Sequence, residues 1–182
     1  AAMLIAMAGL PGTGKSTLAR AIVAALRQRR AEAYILDKDT VRAALFPPGT
    51  IAYSREQDDL CVDTMLQVAT YLLRERPART VILDGRTFSR RDQVATVVQA
   101  AVAIPARLCF VECVCAEATA LARLERDLAD QHHPAENRDP DLYRRIKAGA
   151  QPLEVAHHLT VDTAQPVADA AAEVLAYIES VR

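Results

Sequence analysis

Residues 9–17 read Gly-Leu-Pro-Gly-Thr-Gly-Lys-Ser-Thr, which is a complete G-x-x-x-x-G-K-S phosphate-binding loop. An apolar run at 3–8 precedes this loop and predicts a buried strand, and Leu18, Ile22 and Leu26 mark one face of a helix that follows it. The motif requires this context, because loop N–H groups and the positive end of the helix together attract phosphate oxygens. The stretch therefore predicts a nucleotide-binding α/β domain.

Each residue type in the loop suggests a role. Lys15 is expected to reach the β- and γ-phosphates, and the Ser16 hydroxyl is expected to ligate Mg²⁺. A glycine-rich turn without a ligand is the alternative, and the correct flanking segments count against it. The predicted nucleotide contacts are Gly9, Gly12, Thr13, Gly14, Lys15, Ser16 and Thr17.

Apolar runs alternate with amphipathic segments along the whole chain. This pattern predicts a three-layer α/β sandwich, with a mostly five-stranded parallel sheet between helices, as in the P-loop NTPase fold. Strands are predicted at 3–8, 33–37, 80–84, 107–114 and 158–161. Helices are predicted at 15–30, 54–76 and 89–102, and from Asp139-Pro140 and Pro166 onward. Leu60, Thr64, Val68, Leu72, Val94, Val97, Val98, Ala101 and Val167 are among the predicted inward positions.

The whole-chain composition limits the class of protein. The length of 182 residues suits a single domain over 1–182, and 51% hydrophobic residues indicate a folded core. A net charge of -1 argues against a dedicated binder of duplex nucleic acid. No apolar run suggests a membrane span or a secretory signal, so we expect a cytoplasmic protein with no membrane partner. The sequence does not indicate the oligomeric state. The cysteines at 61, 109, 113 and 115 lack metal-ligand spacing and are predicted to be reduced core thiols.

Charged residues follow the second predicted strand, where ligands of parallel α/β sheets bind. Asp37 and Asp39 come at the strand end, and Arg42 lies one helical turn further on. Asp39 is the candidate general base or Mg²⁺-shell carboxylate, whereas Asp37 and Arg42 are candidate contacts for an acceptor. The alternative for Asp39 is that it only caps the helix beginning near Thr40.

The third strand also ends in a carboxylate. Asp84 follows Val-Ile-Leu and is predicted to hold Mg²⁺ together with Ser16. Arg86, Thr87 and Arg91 come next on the same edge and are predicted acceptor contacts.

A pair of arginines follows the fourth strand. Arg123 and Arg126 lie three residues apart on one helical face and are predicted to close over the γ-phosphate. The alternative is ordinary salt bridging, for instance between Arg123 and Asp127. We expect a helical lid at approximately 117–138, and the polar stretch 129–139 is predicted to be a mobile loop.

At this point the chain resembles small P-loop kinases, an AAA-type group of ATP-binding small-molecule kinases. The group contains adenylylsulfate kinase, gluconate kinase, the zeta-toxin and chloramphenicol phosphotransferases and polynucleotide 5′-kinase. Residues 36–42 (Leu-Asp-Lys-Asp-Thr-Val-Arg) are similar to the Asp-Gly-Asp-Asn-Val-Arg segment of adenylylsulfate kinases. Asp39-x-x-Arg42 also fits the Asp-x-x-Arg of polynucleotide kinases. Residues 138–149 and 158–163 resemble further adenylylsulfate kinase segments, but that family's Ser-Pro-Tyr-Arg lid signature is absent; Asp-Gly-Arg-Thr-Phe stands at 84–88.

The resemblance implies an ATP-dependent kinase that transfers the γ-phosphoryl group to a hydroxyl of a small molecule. It implies ATP as co-substrate, Mg²⁺ as cofactor and Asp39 as the residue that meets the acceptor hydroxyl. Adenylylsulfate is one candidate acceptor. A polynucleotide 5′-hydroxyl kinase and a non-kinase nucleotide-binding switch ATPase remain as alternatives.

Overall fold

The computed structural model of the protein describes residues 2–130 and 138–181. Five strands lie within these ranges: β1 (Met3–Ala8), β2 (Ala33–Asp37), β3 (Thr80–Asp84), β4 (Arg107–Val114) and β5 (His158–Asp162). The helices described are α1 (Lys15–Gln28), α2 (Lys38–Leu45), α3 (Arg55–Glu75), α4 (Arg91–Ala101), α5 (Glu117–Asp130), α6 (Pro140–Ala148) and α7 (Val167–Ser180). All five predicted strands are confirmed, and β5 extends one residue beyond its predicted end.

The strands form one parallel sheet in the order β2-β3-β1-β4-β5. The central strand β1 is buried along its whole length, with Ile5 opposite Ile82 of β3 and Cys109 of β4. Because every strand runs the same way, all their carboxyl ends meet at one edge of the sheet. The segments that follow each strand therefore come together there.

Helices cover both faces of the sheet, which confirms the three-layer sandwich. Met3, Ile5 and Met7 point to one face and pack under α1 and α7. Leu4 and Ala6 point to the other face and pack under α3 and α4. This alternation follows from the two-residue period of a strand, and it explains why β1 has no polar residue.

The predicted inward face of α3 is wrong by one residue. Leu60 is 50% exposed and Val68 is 40% exposed, whereas Cys61, Met65 and Leu73 are buried. Apolar residues occupy both of these neighbouring stripes, so periodicity alone did not distinguish them. Two other predicted inward residues are also largely exposed, Val98 on α4 and Val167 on α7.

Side-chain caps begin several helices. The Ser54 hydroxyl accepts a hydrogen bond from the Gln57 N–H at 3.2 Å, and the Asp139 carboxylate accepts one from the Leu142 N–H at 2.7 Å. These caps confirm the predicted starts of α3 and α6. By contrast, α4 begins at Arg91, two residues after the predicted Ser89. None of the helices in the described ranges is long and apolar enough to cross a membrane.

The segment predicted as a polar loop at 129–139 is partly helical. Ala129 and Asp130 close α5, and Asp139 caps α6. The positions between, 131–137, lie outside the described residues. The four cysteines are free thiols, and burial raises the pKa of both Cys109 and Cys113 to about 12.

Candidate active site

The phosphate-binding loop is held by close backbone contacts on two sides. Gly9 has a φ of +134°, and a Cβ there would lie 2.4 Å from the Cys113 carbonyl oxygen at the end of β4. Gly12 has a φ of +77°, and a Cβ there would lie 2.5 Å from the Ala120 carbonyl oxygen of α5. Both positions require glycine, because any side chain would collide with backbone. The loop is therefore set by β4 and α5 as well as by its own sequence.

Lys15 turns back onto the carbonyl groups of the loop. Its Nζ donates hydrogen bonds to Gly9 O at 2.7 Å and Leu10 O at 3.0 Å, and the residue is only 8% exposed. Burial, with a smaller contribution from the nearby Arg138 guanidinium, lowers the pKa of Lys15 to about 8, whereas Asp84 opposes the change. A cation held over a loop of this shape is placed to meet an oxyanion entering the loop.

Asp84 and Ser16 lie side by side beneath the loop. The Ser16 hydroxyl donates a hydrogen bond to the buried Asp84 carboxylate, and burial raises the pKa of that carboxyl. Asp84 Oδ1 is buried and has no hydrogen-bond partner among the described residues. Carboxylate and hydroxyl oxygens are ligands that Mg²⁺ prefers, and Mg²⁺ keeps several waters or substrate phosphates as its other ligands. The two residues therefore fit a Mg²⁺ site of that kind, although no group of three or more His, Cys, Asp or Glu within 2–130 and 138–181 forms a metal cage.

Asp37, and not Asp39, caps α2. The Asp37 carboxylate accepts hydrogen bonds from the Thr40 N–H at 2.7 Å and the Thr40 hydroxyl at 2.9 Å. The capping alternative for Asp39 is therefore wrong. Asp39 faces the cleft and accepts a hydrogen bond from Arg42 Nη1 at 3.0 Å. Burial is the main cause that raises the pKa of the Asp39 carboxyl, and Asp37 adds to it.

The loop after β3 reaches back to the phosphate-binding loop. Thr87 O accepts a hydrogen bond from the Gly9 N–H at 3.0 Å, and its hydroxyl lies 2.9 Å from the Ser89 hydroxyl. Thr87, one of the predicted acceptor contacts, lines the cleft. Arg91 does not line it. Its side chain lies 3.6 Å from Glu154, whereas the preceding Arg90 faces the cleft.

The two arginines of α5 take different positions. Arg123 Nη2 donates to Thr163 O at 2.8 Å and Nη1 donates to the Thr163 hydroxyl at 3.2 Å, and Arg123 thus ties α5 to the segment after β5. These partners take the place of the salt bridge with Asp127 that was the alternative for Arg123. Arg126 lies one turn further along α5 and faces the cleft with Asp127.

Arg138 is a site residue to which the sequence motifs assign no role. It lies just before α6 and lines the cleft. It is close enough to Lys15, Asp39 and Asp84 to interact with each of them electrostatically. Burial lowers the pKa of Arg138, while Asp127 and Asp39 oppose the change. The one sequence signal for a role of Arg138 was that it begins the 138–149 segment, which resembles a segment of adenylylsulfate kinases. Only the packing of α6 on α5, through Ala120, Leu124 and Tyr143, brings it over the loop.

These residues surround one cleft of about 1100 Å³ at the carboxyl edge of the sheet. Among the described residues, nine basic and five acidic side chains line this cleft, although the chain as a whole has a net charge of -1. The phosphate-binding loop forms one end, and the α2–α3 side forms the other. The local positive surplus suits a cleft that holds phosphate groups.

Residues 4–153 match a protein family described as the AAA domain. The chain belongs to the AAA domain family. A candidate kinase from Chloroflexus aurantiacus is 21% identical, with a TM-score of 0.74 over 96% of this chain and 97% of its own. The APS kinase of Mycobacterium tuberculosis, solved with AMPPNP and APS, is 20% identical, with a TM-score of 0.73 over 98% of both chains. A gluconokinase from Sinorhizobium meliloti is 18% identical, with a TM-score of 0.67 over 97% of this chain and 91% of its own.

These similarities establish that this AAA domain has the P-loop α/β fold that kinases also use. A search of curated protein sequences gave no match.

Proposed function

We propose that this AAA-domain protein is an ATP-dependent kinase that transfers the γ-phosphoryl group to a hydroxyl of a small molecule. One observation carries the proposal: a phosphate-binding loop and the cleft-facing carboxylate of Asp39 lie in the same cleft. A carboxylate that faces the phosphate site without capping its helix is available to accept a proton. The overall similarity to known kinases is consistent with this function.

The loop end of the cleft would bind ATP. Backbone N–H groups of the loop and the start of α1 would hold the phosphates, and Lys15 would exchange its two loop carbonyls for β- and γ-phosphate oxygens. The loop contacts would be Gly9, Gly12, Thr13, Gly14, Lys15, Ser16 and Thr17. Ser16 and Asp84 would hold Mg²⁺, which when bound neutralises charge on the β- and γ-phosphates.

The other end of the cleft would bind the acceptor. The acceptor oxygen attacks the γ-phosphorus, and the bond to the β–γ bridging oxygen breaks, leaving its electron pair on ADP. The hydroxyl proton passes to the Asp39 carboxylate. Arg126 and Arg138, which reach the cleft from α5 and the start of α6, would stabilise the charge on the transferring group. In the lid proposed for 117–138, of which 131–137 lie outside the described residues, α5 and Arg138 would bring these two side chains to the γ-phosphate.

Acceptor contacts are proposed for residues at the end of β2, on α2 and on the loop after β3. Asp37, Arg42, Arg86 and Thr87 all line this end of the cleft, whereas Arg91 lies outside it. A single domain over 1–182 would then carry both substrates.

The test is a phosphorylation screen with γ-labelled ATP across small hydroxyl compounds, adenylylsulfate and 5′-hydroxyl oligonucleotides. We expect label to pass to a small molecule with wild type and not with Lys15→Ala. Arg29→Ala is the matched control, because Arg29 is exposed and pairs with Glu179 away from the cleft. Label on the oligonucleotide alone would support a polynucleotide kinase. Phosphate release with no labelled acceptor would support a switch ATPase, and retained transfer in folded Lys15→Ala would contradict the proposal.

A further inference from the structure

Three cations form a buried cluster at the acceptor end of the cleft. Lys38 is 9% exposed, Arg42 is 2% exposed and Arg86 is 4% exposed. All three line the cleft. Burying a charge is costly unless it is paired and hydrogen-bonded, so the partners of this cluster indicate what it is built to hold.

Three carboxylates pair with the cluster: Asp39, which accepts a hydrogen bond from Arg42 Nη1 at 3.0 Å, and Asp58 and Asp59 of α3. Asp58 Oδ1 accepts a hydrogen bond from Lys38 Nζ at 2.9 Å and also contacts Arg42 Nη2. Asp59 accepts one from Arg86 Nη2 at 2.5 Å. Both acids belong to the first turns of α3, where their side chains are 25% and 50% exposed. The acids are thus more hydrated than the cations they neutralise.

The cations keep unused donors. The Nε atoms of Arg42 and Arg86 are buried and lack a hydrogen-bond partner in the part of the chain that the structure describes. Burial, with smaller contributions from the Arg42 and Arg86 guanidinium groups, lowers the pKa of Lys38 to about 8, whereas Asp39 opposes the change. Repulsion among the three cations and the two Nε donors without partners favour an anion at this end of the cleft.

The backbone places this cluster beside the proposed base. Asp37 of β2 is in register with Asp84 of β3, so Lys38 and Gly85 begin the two segments that leave the sheet side by side. Gly85 has a φ of +104°, and a Cβ there would lie 2.8 Å from the Lys38 Cβ. This close approach brings Arg86 to Lys38, and Lys38 directly precedes Asp39.

We propose that Lys38, Arg42 and Arg86 bind an oxyanion group of the acceptor, so that the substrate is an anionic hydroxyl compound and Lys38 is a residue that determines specificity. This inference rests on the proposed kinase function. Asp58 acts as a positioning residue, because one carboxylate oxygen orients both Lys38 and Arg42. The Tyr53 ring lies 5.0 Å from the Arg42 guanidinium and covers this end of the cluster. Phosphate, sulfate and carboxylate groups share the required chemistry.

The first experiment compares related hydroxyl compounds with and without an anionic group. Glycerate is paired with glycerol, gluconate with glucose, and glucose 6-phosphate with glucose, each with γ-labelled ATP. We expect transfer only to charged members, and the carboxylate and phosphate arms distinguish the source of the anion. Lys38→Met should raise the acceptor KM at least tenfold while leaving the ATP KM within twofold, and Lys38→Arg should restore most of the loss. Equal transfer to uncharged members would overturn the proposal.

The second experiment does not depend on turnover. Inorganic sulfate is titrated into wild-type protein saturated with AMPPNP and Mg²⁺, and the Arg42 and Arg86 Nε–H signals are followed by NMR. We expect a saturable shift that weakens at least tenfold in Lys38→Met and stays unchanged in Arg29→Met. An absence of saturable shift would contradict the anion site, whatever the kinase assay shows. Sulfate binding without transfer to any acceptor would keep the anion site and remove the kinase proposal.

Discussion

Arg123 on α5 and Thr163 after β5 are joined by two hydrogen bonds, one to the carbonyl oxygen at 2.8 Å and one to the hydroxyl at 3.2 Å. The Thr163 hydroxyl in turn donates to Thr13 O at 2.6 Å inside the phosphate-binding loop. One side chain thus connects α5, the end of the sheet and the loop. Because these bonds hold the phosphate-binding loop in place, we expect Arg123 to support nucleotide binding rather than to stabilise transition-state charge.

Arg123→Ala should therefore weaken ATP binding more than it slows transfer. Without these bonds the loop is less well positioned to receive the phosphates, so a rise of about tenfold in the ATP KM is expected, below the full worth of one bond from a charged donor. Steady-state kinetics at saturating ATP should show kcat within about threefold of wild type. A large loss of kcat with an unchanged KM would place Arg123 at the γ-phosphate instead.

Arg138→Ala and Arg126→Ala should show the opposite pattern. Both residues face the cleft, and arginines that meet the transferring phosphoryl group are worth about 10²-fold or more in kcat. ATP affinity, measured by calorimetry, should stay nearly unchanged. Arg144→Ala is the control, because Arg144 is exposed and pairs with Asp141. Equal losses in kcat and ATP affinity would indicate ground-state binding only.

Asp39→Asn should separate proton transfer from positioning of Arg42. If Asp39 accepts the acceptor proton, kcat should fall about 10²-fold or more, while ATP affinity is kept. If Asp39 only orients Arg42, the acceptor KM should rise and kcat should survive. Asp63→Asn, at an exposed position of α3, controls for the loss of one carboxylate. Wild-type rates in Asp39→Asn would remove Asp39 from the mechanism and leave Asp84 as the next candidate.

ATP affinity should fall as the pH rises above 8. Lys15 has a pKa of about 8 in the free protein, and bound phosphates would raise that pKa because they favour the ammonium form. Above pH 8 the free protein has lost this proton and binding must take it up, so the association constant should fall by up to about tenfold per pH unit. Calorimetry in two buffers of different ionisation heat would measure the proton uptake.

Lys38 needs a control in that experiment, because its pKa is also about 8. Lys38→Met should keep the pH dependence of ATP binding if Lys15 is the group that titrates. If the pH dependence disappears in Lys38→Met, the proton taken up on ATP binding belongs to the acceptor end of the cleft.

Gly12→Ala should destabilise the fold and abolish ATP binding. Its Cβ would lie 2.5 Å from the Ala120 carbonyl oxygen, so α5 would have to move away from the loop. Gly49→Ala is the matched control, since Gly49 also has a positive φ of +87° and its Cβ would meet nothing within 4 Å. In urea unfolding, Gly49→Ala should lower the free energy of unfolding only by the backbone strain of about 1–2 kcal/mol. Gly12→Ala should lower it by clearly more. Equal costs would mean that α5 is not packed on the loop as described.

Local signals in the sequence determined most of the sheet and the nucleotide end of the site. The strands β1 and β3 are short apolar runs that are buried throughout, and even the partly exposed edge strands β2 and β5 kept enough β-branched and aliphatic residues to be located from the sequence. The loop at 9–17 acts mainly through its own backbone, and its motif is contiguous. Because ligands of parallel sheets bind at the strand ends, the sequence alone assigned Asp37, Asp39 and Asp84 to one edge of the sheet.

Tertiary structure decided which of these carboxylates does what. Periodicity did not reveal that Asp37 directs its carboxylate to Thr40, which leaves Asp39 facing the cleft. Nor did it choose between the two apolar stripes of α3, since that choice depends on what the sheet presents to the helix. The sequence-distant partners, such as Lys38 with Asp58 and Arg138 with the loop, arise only when α3 and α6 pack in place. Contacts between residues far apart in the chain form only when whole helices pack against the sheet. No local pattern in a single sequence shows which residues such packing brings together.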